Sequence, residues 1–127
     1  MATWREIVDH IGRHHRLDRD GGTEIAVTVP TDGGRNQRVL VTHHEALGAD
    51  ILEVRSAFAD AARFDADALL GESLDLPIGA IARHGTRLLV VDKTPMGDMP
   101  AAVAVFLVEA VAHTADRLEQ RMGQDRY

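Results

Sequence analysis

The chain contains no cysteine, a single lysine (Lys93), two serines (Ser56 and Ser73) and only 4% aromatic residues. Without cysteine there is no disulfide framework, no thiolate metal site and no thiol nucleophile. Neither serine lies in a Gly-x-Ser-x-Gly turn, so a nucleophile elbow is excluded. The paired glycines Gly21-Gly22 and Gly33-Gly34 are not phosphate loops. The first lacks a Gly-Lys-Ser/Thr ending, and the second joins two strands, whereas a dinucleotide fingerprint opens a helix. Both predict turns. The longest apolar run, Pro100 to Ala112, is broken by Glu109 and falls short of the roughly 20 residues that span a membrane. It predicts a buried helix. The start, Met1 to Glu6, has neither the basic end nor the apolar run of a signal peptide, which sets a cytoplasmic expectation.

What is present is an ordinary globular composition. Apolar residues make up 45% of the 127 positions and charged ones 27%. That length fits one domain, residues 1–127, with a core of its own. Acidic residues outnumber basic ones 20 to 14, for a net charge of −6. A chain of this charge without a basic stripe is a poor binder of nucleic acid or of an anionic membrane surface. The surplus favours solubility and, more sharply, attraction for basic unfolded segments of a partner.

Periodicity sets the elements. Trp4, Ile7, Val8, Ile11 and His15 fall on one helical face, over Thr3 to about Arg16. Thr3 and Glu6 form a capping box at its start. Ile25, Val27 and Val29 alternate as a strand over Thr23–Pro30, and Val39 and Val41 mark a second. The link Thr31–Asn36 joins them as a hairpin. A third strand follows Gly48-Ala49-Asp50, with Ala57–Ala62 open to strand or helix. A short helix over Phe64–Leu74 takes Asp65 as N-cap. Ile78–His84 and Arg87–Lys93 predict a second hairpin, and Leu88–Val91 an interior strand. Met96 and Met99 are expected to plug the core edge from the following loop. The last helix starts near Pro100 and reaches about Met122, with Val103, Phe106, Leu107, Ala110, Val111, Thr114 and Leu118 as its stripe. Residues Gly123–Tyr127 are expected to fray. The fold class is therefore α+β. It is an antiparallel sheet of about five strands with helices, in the order α-β-β-β-α-β-β-α.

Seven histidines are many for this length. His10 and His14 are four apart, so one helix face presents both as a candidate metal pair, with a distant carboxylate as third ligand. His43 and His44 adjoin in a strand, so their side chains point to opposite faces. The acidic residues form no recognisable catalytic pattern, although a carboxylate pair stays open.

The order of elements resembles the type III secretion chaperone-like fold. The stretch Leu69-Leu70-Gly71-Glu72-Ser73-Leu74-Asp75-Leu76-Pro77-Ile78-Gly79-Ala80 resembles the passage from short helix to strand in YbjN-type proteins. The run Ile81–Lys93, the loop Pro95–Asp98 and the closing Ala115-Asp116-Arg117-Leu118-Glu119 fit the same plan. The resemblance implies small, acidic, often dimeric proteins that hold segments of client proteins, with no enzymatic activity and no cofactor. The expectation is thus a non-enzymatic protein-binding module, chaperone-like or adaptor, acting as a homodimer. Leu69, Leu70, Leu74, Val105 and Val108 are the candidate partner or dimer interface. The alternative is a small metal- or ligand-binding domain built on His10 and His14.

Overall fold

The computed structural model describes residues 2–122. The residues expected to fray, 123–127, lie outside that range. Helix α1 (Trp4–His14) leads into strands β1 (Arg16–Asp20), β2 (Glu24–Pro30), β3 (Asn36–Ala46) and β4 (Ala49–Asp60). Helix α2 (Ala66–Leu74), strands β5 (Ala80–His84) and β6 (Arg87–Pro95), and helix α3 (Ala101–Arg121) complete the chain. All neighbours in the sheet are antiparallel, in the order β1-β2-β3-β4-β6-β5.

The α+β class and antiparallel sheet match the sequence reading, but the sheet has six strands rather than five. The added strand is β1, Arg-Leu-Asp-Arg-Asp. Only Leu17 packs on the core; the other residues are charged, so no apolar alternation marks it. Charge of this kind suits an edge strand, because it discourages pairing with another chain. The Ala57–Ala62 ambiguity resolves as strand to Asp60 followed by a short 3-10 turn, Ala61–Arg63.

Local signals place the helices. The Thr3 hydroxyl accepts from the Glu6 N–H at 3.2 Å, starting α1 as its capping box predicts. Asp65 caps α2 through the Asp67 N–H at 3.1 Å. Pro100 stands at the N-cap of α3, where the first helical N–H groups have no intrahelical partner.

One face of the sheet carries the core. Ile25, Val27 and Val29 of β2, Val39 and Val41 of β3, and Leu52, Val54 and Phe58 of β4 meet Ile7, Val8 and Ile11 of α1 and the inner face of α3. Each fully buried side chain of this size contributes about 1.5–3 kcal/mol. Met96 and Met99 are buried at the core edge, as expected. The buried face of α3 is Ala104, Val105, Leu107, Val108, Val111, Ala112, Ala115 and Leu118. The predicted stripe is rotated from this: Val103 and Phe106 point to solvent. A helix apolar on most sides fixes no phase by itself, so the sheet chose the face.

The loop into β5 depends on Gly79. Its φ is +76°, and a Cβ there would sit 2.8 Å from the Val91 carbonyl oxygen. Gly33 has a similar φ of +70° with nothing nearby. Gly33→Ala is expected to cost the left-handed penalty of about 1–2 kcal/mol. Gly79→Ala should cost clearly more, because β6 must also give way. Urea denaturation of both variants checks this, and equal losses would show that the 75–79 loop yields freely.

Candidate functional site

The helices cover one sheet face and leave the other open, so alternate strand side chains point away from the core there. Register places charged residues in rows across it. Arg16 faces Thr28, and Thr28 faces Arg38. Arg19 faces Ala26, Ala26 faces Leu40, and Leu40 faces Arg55. Ala57 faces Leu89, and on the last row Asp60 faces Arg87, which faces His84.

These rows frame a depression of about 450 Å³. Its cause is a parting of strands. The β3–β4 ladder begins at Leu40 and Arg55, so the start of β3 and the end of β4 are not paired with each other. Side chains bridge the gap. The Gln37 amide donates to Ser56 Oγ at 2.9 Å and to the Ala57 carbonyl at 2.7 Å, and Ser56 donates to the Arg38 carbonyl at 2.6 Å. Backbone groups that would otherwise be buried without partners are thereby satisfied. A bulge between Ala57 and Ala59 shifts the register on the other side of β4.

The lining is chemically one-sided. Arg19, Arg38, Arg55 and Arg87 surround it with His84, while Leu40, Ala57 and Leu89 form an apolar floor. No carboxylate belongs to the lining. Acids stand at the rim. Arg19 pairs with Glu24, and Glu53 lies 3.7 Å from Arg55 and 3.6 Å from Lys93. Arg16 pairs with Asp18 at 2.9 Å. The Thr28 hydroxyl, which donates to Asp18, holds that carboxyl below its ordinary pKa, and Arg16 adds to the effect. Arg38 feels the Asp18 charge but has no carboxylate within ion-pair distance among the described residues. Its guanidinium is therefore available for an incoming anion.

Arginine suits this task, since its planar fork binds a carboxylate through two parallel hydrogen bonds. Aromatic stacking platforms, on which single-stranded nucleic acid relies, do not belong to the lining. The arginines come from β1, β3, β4 and β6, far apart in the chain, and sequence reading did not group them. For Arg38, Arg55 and Arg87 the signal was strand alternation, each opposite in phase to the core residues beside it. Arg19 has the same parity as Leu17, and an irregularity between the two shifts the register there. A chain of net charge −6 thus carries a basic face.

The residues expected at a partner or dimer interface divide. Leu69, Val105 and Val108 are buried in the chain's own core. Leu70 and Leu74 are 64% and 88% exposed. The apolar surplus of α3 lies instead at Val103 and Phe106.

His10 and His14 are neighbours, with ring centroids 5.2 Å apart. His14 Nδ1 is 3.0 Å from the His10 carbonyl oxygen, within hydrogen-bond reach. No group of three or more potential metal ligands occurs among the described residues. Two of the other histidines have side-chain partners: His15 meets Glu109 at 2.9 Å, and His43 stacks on Trp4 and meets Asp50 at 3.1 Å. No described helix is long and apolar enough to cross a membrane.

No family model matches the chain, and no curated protein matches it.

Proposed function

We propose that the protein is a non-enzymatic binding module that holds an acidic segment of a partner protein on the open face of its sheet. The observation that carries this is the lining of the depression: four arginines and a histidine over an apolar floor, with no carboxylate among them. The YbjN-type resemblance supports the same class of function, a client-holding protein. The chemistry of the client differs from what net charge suggested. The field that matters is local, so an acidic segment is favoured over a basic one. Carboxylates along an extended segment would engage Arg38 and Arg55, while its aliphatic parts cover Leu40 and Leu89.

The test is titration of a fluorescent, glutamate- and aspartate-rich peptide into the protein at several salt concentrations. Saturable binding that weakens as salt rises is expected, because exposed charges are screened beyond about 10 Å at 0.1 M ionic strength. A basic peptide of equal length should not bind. A single-stranded oligonucleotide of equal charge that bound as tightly would overturn the protein-partner reading.

A further inference from the structure

The four arginines of the depression are not equally engaged. Arg19 already pairs with Glu24. Arg38 has no carboxylate within ion-pair distance among the described residues. Arg55 approaches Glu53 only to 3.7 Å, too far for a hydrogen bond. Neither the Arg38 nor the Arg55 guanidinium donates a hydrogen bond to any described residue. The two stand close together. Leu40 directly opposes Arg55, and Arg38 lies two residues before Leu40 on the same face of β3. Diagonal neighbours of this kind are about 7–8 Å apart, within reach of long side chains. The strands part beside them, and the floor there is the small Ala57. An anion over Ala57 can therefore meet one guanidinium from each strand. Glu53 lies on the other side of Arg55 along β4, with Lys93 at 3.6 Å from it.

We infer that the acidic segment held on this face carries a phosphorylated serine or threonine, whose phosphate takes the forks of Arg38 and Arg55 together. This rests on the proposed function and names the group on which recognition of the segment centres. A carboxylate offers two oxygens, which one guanidinium fork fills. A phosphate monoester offers three acceptor oxygens and a charge of about −1.5 to −2. That supply matches two unspent forks converging from different strands, where a single carboxylate leaves one of them unmatched. Phosphorylation of the partner segment then becomes the event that sets how tightly it is held.

Fluorescence anisotropy with three synthetic peptides of one acidic sequence tests this. They differ only at the centre, which is serine, phosphoserine, or a pair of glutamates that matches phosphoserine in charge. The phosphoserine peptide is expected to bind about ten- to a hundredfold tighter than the glutamate-pair peptide, the gain from engaging a second charged fork. Arg38→Lys keeps the charge and removes the fork. It should erase that advantage and leave the glutamate-pair peptide within about threefold of its former affinity, with circular dichroism confirming the fold. Equal affinity of the phosphoserine and glutamate-pair peptides would overturn the phosphate while leaving the arginine site standing. So would an advantage that survives Arg38→Lys. Inorganic phosphate that displaced the phosphoserine peptide at a concentration near that peptide's Kd would mark a site for the free anion and overturn the segment as its source. Failure of all three peptides to bind would overturn the phosphate and the arginine site together.

Discussion

Arg38→Glu combined with Arg55→Gln is expected to weaken binding of an acidic peptide by about a hundredfold or more, with the fold retained. Hydrogen bonds to charged groups contribute about 1.5–3 kcal/mol each, and every 1.4 kcal/mol is tenfold in affinity. Arg38 is exposed and pairs with no carboxylate among the described residues, so its loss orphans no carboxylate among them. Arg55 is half-buried beside Glu53, and glutamine there avoids setting two carboxylates together while Lys93 still faces Glu53. The control is Arg117→Glu with Arg13→Gln, which changes net charge equally at exposed helix positions. It should leave affinity within about twofold, since those charges lie away from the depression and are screened. Equal weakening by both pairs would mean that only overall charge matters.

Arg35→Met is expected to destabilise the fold by about 3–5 kcal/mol, the usual effect of removing one partner from a buried ion pair. Asp116 of α3 is 2% exposed, and the Arg35 guanidinium reaches it from the turn before β3, with Nε 3.1 Å from Oδ1. Arg35 also donates to the Asp116 carbonyl at 3.3 Å. It thus pins the second half of α3 to the sheet. Gln120 would remain on the carboxylate at 2.8 Å, but a neutral amide cannot balance its charge. Adding Asp116→Asn to Arg35→Met should recover part of the loss, because the buried group is then neutral. Urea denaturation measures both. A loss below about 1 kcal/mol would place the pair with solvent-exposed ion pairs instead.

These two predictions rest on residues that differ in how far the sequence disclosed them. The α+β class, the capped helices and the core strands were legible because Ile25, Val27, Val29 and their counterparts repeat at strand spacing, and because Thr3 and Asp65 sit where caps belong. Strand β1 was hidden, since four of its five residues are charged and it is held by pairing with β2. The phase of α3 was hidden because apolar residues occur nearly all round it. Asp116 and Glu119, in the polar end of that helix, are both buried, which their charge does not disclose. The arginine face needed register. Arg19, Arg38, Arg55 and Arg87 become neighbours only when β1, β3, β4 and β6 are laid in spatial order. Net charge pointed the other way, because it sums over faces that a partner meets one at a time.

The most direct test of the account is to map an acidic peptide onto the protein by amide chemical-shift changes. The account predicts changes clustered at Arg38, Leu40, Arg55, Ala57 and Leu89 on the open face of the sheet, growing with peptide and vanishing at high salt. Changes confined to α1 and α3, with those open-face strands silent, would contradict it.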